Sequence, residues 1–264
     1  MIHIGTSGWQ YRDWRPSRGA DETGYLYPDG LPQRLWLEHY AARFDVVEIN
    51  NAFYRLPERD TFGQWRDRTP DAFRFAVKMS RYLTHVKRLR DPAEPVARFL
   101  GRAEALGDKL GPVLLQLPPT LRADLTALEE TLSLFPPGVQ VAVEPRHDSW
   151  FSDSCRELLT RYGAALCWAD RSGQSRSPLW CTAEFAYLRL HEGRAKPWPR
   201  YGRRALSSWL DRIVATAPPE TYVFFNNDPG GAAVIDAGVF ASQARRRELP
   251  VSQVPRVRDR HSGG

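Results

Sequence analysis

The sequence has no long hydrophobic run. Nowhere among its 264 residues does an apolar stretch approach the roughly 20 residues that a membrane-spanning helix requires. The first residues also lack the basic start and apolar stretch of a secretory signal peptide. We therefore expect a soluble, cytoplasmic protein that does not act at a membrane.

Cysteine is scarce as well. The three cysteines, Cys155, Cys167 and Cys181, are odd in number, and no two of them show Cys-x-x-Cys spacing. This pattern argues against a disulfide framework and against a zinc site made of cysteines. Cys167 lies in an apolar run, where we expect it to fill the core as a small hydrophobic residue.

Lysine is rare among the basic residues, with four lysines beside 33 arginines and a net charge of +6. Most of the excess positive charge lies near the C-terminus, where residues 245–260 contain six arginines and only two acidic residues. Such a segment can contact phosphates, but it is typical of a solvated, flexible extension. We predict one domain over residues 1–244 and a basic flexible tail over residues 245–264. Nucleic acid is a candidate partner, and the oligomeric state stays open.

Short β-branched or aromatic runs recur along the chain, and polar residues follow each of them. Eight such runs lie at residues 2–4, 46–47, 73–77, 113–115, 139–143, 166–168, 187–188 and 222–225. Segments with helical periodicity lie between most of them, as at residues 33–43, 153–162 and 203–216. Alternating strands and helices predict a parallel sheet, and eight units in about 250 residues predict a single (β/α)8 TIM barrel.

Three of the predicted βα connections are long. The first spans residues 10–31, the third spans 80–92, and the seventh spans 192–202. Long aromatic-rich loops in a compact barrel are typically functional, and we expect the first and the seventh to act as lids. At the helix starts, Thr120 and Ser152 are predicted N-caps.

The residues at the strand ends carry a family resemblance. The relevant motifs are Gly5-Thr6-Ser7-Gly8-Trp9, Val47-Glu48-Ile49-Asn50 with Phe53-Tyr54, Phe75-Ala76-Val77-Lys78 with Thr84-His85, Gln116-Leu117-Pro118-Pro119, Glu144 with Arg146-His147, Arg189-Leu190-His191, and Phe225-Asn226-Asn227-Asp228. Together they resemble the domain-of-unknown-function 72 family over residues 2 to about 240. The resemblance implies a TIM barrel and no settled activity.

Strand parity predicts which side chains share the barrel lumen, because alternate residues of a strand point to opposite faces. Glu48 and Glu144 fall on the inward parity, as do Lys78 and Arg189. Active sites of TIM barrels are built where the carboxyl ends of the strands converge. We therefore expect catalytic roles for Glu48, Glu144, His191 and His147, and substrate contacts from Lys78, Arg146, Arg189, Asn226, Asp228, Gln116 and Asn50.

Aromatic side chains after the strand ends are further candidates. Stacking on a base or a sugar ring would use Trp9, Tyr11, Tyr54 and Trp150, although packing beneath a loop explains such residues equally well. A structural ion-pair network is also an alternative for the charged residues. A divalent metal held by Glu144, His147, His191 and Asp228 is a weaker alternative, because the spacing matches no ligand motif, and we expect no cofactor.

Three functions are consistent with these residues. The first is an enzyme that uses acid–base chemistry on a small anionic ligand, phosphorylated or derived from nucleic acid, with phosphodiester cleavage as one such reaction. In it, Glu48 or Glu144 is the general base and His191 the acid. The second is a non-catalytic protein that binds nucleic acid or a nucleotide. The third is a carbohydrate isomerase or hydrolase, which requires two carboxylates across an open cleft.

Overall fold

A computed structural model describes residues 1–15, 26–216 and 218–255. Eight barrel strands lie along this part of the chain, and helices separate them everywhere except between the sixth and the seventh. We number the strands β1 (Ile2–Thr6), β2 (Val46–Ile49), β3 (Arg74–Lys78), β4 (Leu110–Gln116), β5 (Val141–Glu144), β6 (Ala165–Arg171), β7 (Phe185–Leu190) and β8 (Glu220–Phe225). The predicted TIM barrel is confirmed.

The strands pair in parallel, and each of seven neighbouring pairs is joined by backbone hydrogen bonds. The order around the sheet is β1, β8, β7, β6, β5, β4, β3 and β2. In the described residues, no backbone ladder joins β1 to β2, so the cylinder has a seam there.

Side chains close this seam. The Tyr40 hydroxyl donates to the carbonyl oxygen of Val46 in β2 at 3.0 Å and accepts from the backbone N–H of Thr6 in β1 at 3.1 Å. The hydroxyl therefore bridges the two strands where a direct backbone hydrogen bond would otherwise join them. Gly5 permits the close approach of the two strands, because a Cβ at this position would collide with the Val46 carbonyl oxygen.

Eight α-helices belong to the described chain: α1 (Trp36–Ala41), α2 (Asn51–Tyr54), α3 (Arg59–Asp67), α4 (Ala93–Ala103), α5 (Leu125–Ser133), α6 (Asp153–Arg161), α7 (Arg203–Thr216) and α8 (Ala232–Arg246). The connection from β6 to β7 contains no helix and carries a two-residue strand, Gln174–Ser175, paired antiparallel to β6. Ser152 caps α6 as predicted, whereas Thr120 caps no helix because α5 begins at Leu125 with Asp124 as its N-cap.

The strands have an apolar layer on each face, one in the lumen and one between the strands and the helices. Strand parity determines which residues belong to each layer. The lumen holds one inward residue or more from seven strands, including Val46, Ala76, Leu114, Ala142, Cys167, Tyr187 and Phe224. The opposite strand faces pack against the helices in a larger cluster that includes Trp36, Phe62, Leu115 and Trp209. Cys167 is fully buried, as expected of a small core residue.

The segment after α8 packs against the barrel. Ile2 donates its backbone N–H to Pro250 and accepts from Ser252, and the Ser252 hydroxyl accepts from the N–H of Ile4. Val254 is buried. The barrel therefore extends past the predicted boundary at residue 244, because these residues extend the sheet beside β1. The rest of the predicted tail, residues 256–264, lies outside the described residues.

Within the described ranges, none of the helices combines the length and the apolar composition needed to cross a membrane. The predicted long loops follow β1, β3 and β7. The loop after β3 contains a single wide helical turn, Tyr82–Val86, and part of the loop after β1 lies outside the described residues.

We expect Tyr40→Phe to lower the free energy of unfolding by about 1–3 kcal/mol, because it leaves the Thr6 N–H and the Val46 carbonyl without their buried partner. Urea denaturation followed by circular dichroism measures the change. Tyr82→Phe is the matched control, because the Tyr82 ring is 43% exposed. Equal stability of the two variants would show that the seam does not depend on this hydroxyl.

Candidate functional site

The polar ends of the strands meet at one mouth of the barrel. Glu48 lies in β2, Lys78 ends β3, Gln116 ends β4, Glu144 ends β5 and Arg189 lies in β7. His191 and Asn226 follow β7 and β8 directly. Their convergence follows from the parallel order of the strands, which brings all carboxyl ends to the same side.

Arg189 occupies the centre of this mouth and is 1% exposed. Its Nε donates to Glu48 Oε2 at 3.0 Å, and its Nη2 donates to Glu48 Oε1 at 2.7 Å. Its Nη1 donates to Glu144 Oε2 at 2.7 Å. One guanidinium therefore binds two buried carboxylates from different strands, and we call these three residues with their hydrogen-bond partners the Arg189 network.

Further donors surround both carboxylates. Glu48 accepts from the hydroxyls of Ser7 at 2.7 Å and Tyr187 at 2.6 Å. Glu144 accepts from the Gln116 amide at 2.8 Å, from His191 Nε2 at 3.0 Å and from Arg146 at 3.3 Å. The predicted site residues do not include Ser7 and Tyr187, although Tyr187 shares the inward parity of Arg189.

The network determines the protonation of the two acids. Burial alone would raise the pKa of Glu48, but the charge of Arg189 and the hydrogen bonds from Arg189, Tyr187 and Ser7 outweigh burial and lower it. Burial likewise opposes ionisation of Glu144, yet Arg189 and His191 lower its pKa well below the ordinary value. Both groups are carboxylates at neutral pH, and their oxygens are already hydrogen-bonded.

His191 is held as a neutral ring. Its Nδ1 lies 3.1 Å from the Asn226 amide nitrogen, which can only donate, so the ring proton is on Nε2 and points to Glu144. Burial lowers the pKa of His191 despite the attraction of Glu144. The ring therefore connects Asn226 to Glu144 and has no free nitrogen for a ligand.

Above the network lies a cavity of about 570 Å³, a size typical of small-ligand sites. Its lining includes four basic side chains, Lys78, Arg81, Arg146 and Arg189. It also includes the neutral polar groups of Asn50, Gln116, Asn226, His85 and Tyr11. Within the described residues, no carboxylate lines this cavity, because Glu48 and Glu144 lie beneath Arg189.

Two smaller cavities adjoin it. One of about 170 Å³ shares Tyr11 and Asn50 with the main cavity and is also lined by Ser7 and Trp9. The other, of about 320 Å³, shares Arg146 and is lined by Arg171, Arg176, Asp148, Glu144 and His191. A ligand in the main cavity therefore has a neutral compartment on one side and a compartment rich in arginine on the other.

Some predicted site residues take other positions. Trp150 is fully buried and donates to the Leu121 carbonyl, so it cannot stack on a ligand. His147 accepts the Ser149 N–H with Nδ1 and caps a short helical turn (Asp148–Trp150), away from the main cavity. Trp9 is 4% exposed and packs edge-on against Trp65. These loops fold back onto the barrel, which strand parity alone does not predict.

Asp228 lies at the start of the last short helical turn and does not line the main cavity. It is 9% exposed, and burial raises its pKa to about 8. Tyr54 and Tyr11, by contrast, line the main cavity as expected, and Tyr54 is 76% exposed.

Three lining residues lie outside the strands and are missing from the predicted set: Phe53 in α2, Arg81 after β3, and His85 in the helical turn Tyr82–Val86. For Arg81 and His85, the sequence signal was the long loop after β3, which contains the Thr84-His85 pair. The His85 Nδ1 lies 2.9 Å from the Thr84 hydroxyl, and burial, with Lys78 and Arg146 nearby, lowers the pKa of His85 to about 4. In the described ranges, no group of three or more His, Cys, Asp and Glu side chains is arranged to hold a metal ion.

Replacing Arg189 by Met should destabilise the fold by about 3–5 kcal/mol at neutral pH, because it leaves two buried carboxylates without their cation. The pH dependence should also reverse. In the wild type the lowered pKa values of Glu48 and Glu144 stabilise the fold above about 4.5, and this contribution disappears as the pH falls through the lowered values.

In Arg189→Met, burial raises both pKa values, so the variant should gain stability between about pH 7 and pH 5 as the carboxyls take up protons. Urea midpoints measured across this range test the reversal. Arg161→Met, on the exposed surface of α6, is the control. A variant with the stability and the pH profile of the wild type would contradict a central role for Arg189.

Comparison with known proteins places the chain in a family. The model of the family described as "Protein of unknown function DUF72" matches residues 3–259. UPF0759 protein YecE of Escherichia coli K12 is 33% identical over 164 residues, which are 62% of this chain and 55% of that protein. The chain thus spans about half the length of the first curated relatives that it matches.

Full-length similarity is also found. UPF0759 protein YunF of Bacillus subtilis is 24% identical over 267 residues, covering 88% of this chain and 91% of that protein. The crystal structure of a DUF72 family protein from Thermotoga maritima has a TM-score of 0.79 at 29% identity, covering 93% of this chain and 99% of that one. The fold, the strand-end motifs and these matches agree, and the chain belongs to the DUF72 family of uncharacterised TIM-barrel proteins.

Proposed function

We propose that this protein is an enzyme that binds a small anionic substrate, phosphorylated or derived from nucleic acid, at the barrel mouth and acts on it by acid–base chemistry. One observation carries the proposal. The main cavity of about 570 Å³ is lined by four basic side chains and, in the described residues, by no carboxylate. Glu48 and Glu144, which are paired with Arg189 behind the cavity wall, offset part of this charge, and the cavity keeps a net positive potential that favours an anion.

The four basic groups are not equivalent. Arg189 donates its hydrogen bonds to Glu48 and Glu144, so it offers a ligand its charge but few free donors. Arg146 makes only long contacts of 3.3 Å with Glu144, and its side chain is 35% exposed. Arg146 is therefore the group best placed to offer a guanidinium to a phosphate or a carboxylate, with Arg81 and Lys78 nearby.

The proton-transfer roles differ from those that we expected. A general base needs a free lone pair and a pKa near the working pH. Glu48 and Glu144 meet neither condition, because the Arg189 network occupies their oxygens and lowers their pKa values. Lys78 lines the cavity and fits the role better, because burial lowers its pKa to about 8. His85 lines the same cavity as a neutral ring, but its pKa of about 4 makes it a weaker base.

Nucleotide binding without catalysis is the second candidate function. Tyr54 favours it, because its ring is 76% exposed at the cavity and can stack on a base. The carbohydrate candidate has less support. Its two carboxylates would have to face an open cleft, whereas the guanidinium of Arg189 fills the space between Glu48 and Glu144.

Arg146→Ala should weaken binding of inorganic pyrophosphate by about tenfold or more, because a charge-assisted hydrogen bond contributes about 1.5–3 kcal/mol. Isothermal titration calorimetry gives the dissociation constants. Arg161→Ala removes the same charge from the outer surface of α6 and should leave the affinity unchanged.

An equal effect of the two substitutions would contradict a specific anion site, since net charge alone would then explain binding. The same variants should be assayed for release of 4-nitrophenol from bis(4-nitrophenyl) phosphate, a chromogenic phosphodiester. Tight pyrophosphate and nucleotide binding without turnover of this or other phosphorylated compounds would favour the second candidate function.

A further inference from the structure

Lys78 has an unusual environment for a lysine. It is the last residue of β3, it is 8% exposed, and its amino group lies over the Phe53 ring at 4.0 Å from the centroid. Among the described residues, no carboxylate lies within ion-pair distance of its Nζ and no acceptor within hydrogen-bond distance. An ammonium that is largely withdrawn from water and has no protein acceptor is costly, and in the main cavity only water or a ligand can satisfy it.

Lys109 shows what a structural buried lysine looks like in the same protein. It is also 8% exposed, but its Nζ donates to the carbonyl oxygens of Arg66 and Thr69, both at 2.6 Å. Lys87 is satisfied in another way, through an ion pair with Asp91. Lys78 has neither kind of partner, and it lines the main cavity, where a ligand can reach it.

The surrounding charges favour a neutral amine. Burial lowers the pKa of Lys78 first, and the positive charges of Arg189 and Arg146 lower it further, against the opposing effect of Glu48 and Glu144. The result is a pKa of about 8 in place of 10.5, which raises the neutral fraction near pH 7 by about two orders of magnitude. Lysines that act as nucleophiles are typically desolvated or placed beside another cation, and Lys78 is both.

We propose that Lys78 is a nucleophile that forms an imine with an aldehyde or ketone carrying a phosphate or carboxylate group. The inference rests on the proposed anion site and narrows its substrate from any anionic compound to an anionic carbonyl compound. The basic groups of the cavity wall, Arg146 and Arg81, bind the anionic end. The carbonyl carbon then lies toward Nζ at the end of β3.

The chemistry needs no further reactant. The lone pair of the neutral amine attacks the carbonyl carbon, the C=O π electrons move to oxygen, and one amine proton moves to that oxygen to give a carbinolamine. The oxygen then leaves as water with the second amine proton, and a C=N bond forms. Protonation of this imine withdraws electrons from the neighbouring carbon, and the neutral imidazole of His85, which lines the same cavity, can accept a proton released there.

Pyridoxal 5′-phosphate and pyridoxal test the inference as reagents, because only the first carries a phosphate. Pyridoxal is largely a cyclic hemiacetal in water, so its label on Lys78 is compared with its own label on Lys87. The full chain is incubated with each at about pH 7.5 and treated with sodium borohydride, which reduces an imine to a stable secondary amine. Peptide mass spectrometry then measures the label on each lysine, and the chain has only four.

We expect pyridoxal phosphate to label Lys78 at least about tenfold faster than Lys87 or Lys196, because burial lowers the pKa of Lys78 and the cavity wall binds the phosphate. The rate should increase with pH through about 8, as the pKa of Lys78 implies. Pyrophosphate should slow the labelling, and the ratio of Lys78 label to Lys87 label should be lower with pyridoxal than with pyridoxal phosphate. Lys78→Arg, which keeps the charge, should lose this label, whereas Lys87→Arg should retain it.

The outcomes separate this inference from the proposed function. Slow labelling of Lys78, at rates like those of Lys87 and Lys196, would overturn the nucleophile even if pyrophosphate binds tightly. Fast labelling of Lys78 by both aldehydes with the same ratio to the Lys87 label, unaffected by pyrophosphate, would support the nucleophile and overturn the anion site. Measuring the label on each lysine of the wild-type chain tests both the nucleophile and the anion site, even if Lys78→Arg fails to fold.

Discussion

The fold of the barrel mouth depends on one guanidinium shared by two buried carboxylates. Arg189 binds Glu48 with two nitrogens and Glu144 with the third, and so ties β7 to β2 and β5. Few residue types could do this, because the planar fork of arginine offers five donors in fixed directions and keeps its charge at any physiological pH. Such buried pairs contribute little net stability compared with apolar packing, but the loss of one member is costly. The network thus constrains the geometry of the mouth more than it stabilises the fold.

The same constraint explains the electrostatics of the cavity. Arg189 and the two glutamates carry one net negative charge, which Arg146 in the cavity wall offsets through its ion pair with Glu144. The side chains above the network are then basic or neutral. Lys78 lies at the boundary between these layers, close enough to Arg189 to be repelled and too far from either glutamate to form an ion pair. The reactivity proposed for this amine is therefore a consequence of how the acids beneath it are neutralised.

Much of this arrangement follows from periodicity in the sequence. The alternation of residues along each strand predicts the lumen positions of Glu48, Lys78, Glu144 and Arg189, because a parallel barrel leaves each strand residue only two faces. Loop conformation is different, since it depends on long-range packing. Trp150 follows a strand end but turns into the core to reach the Leu121 carbonyl, and Phe53 in α2 and Arg81 after β3 reach the cavity from segments between strands. Parity also cannot show that the glutamates share one arginine, which decides whether they act as bases.

The seam between β1 and β2 gives the barrel a preferred place for local opening. Seven strand boundaries open only when several backbone hydrogen bonds break together. The boundary between β1 and β2 is held by the Tyr40 hydroxyl and, nearer the mouth, by the hydrogen bond from Ser7 to Glu48, while residues 250–252 pair with Ile2 at the start of β1. Proteins exchange their amide hydrogens through such weak boundaries long before they unfold globally. Glu48 is the buried charge beside this seam, because it accepts the hydrogen bond from Ser7 directly after β1. The amides that exchange early, near Thr6 and Val46, therefore report on hydration of the buried charges as well as on the stability of the cylinder.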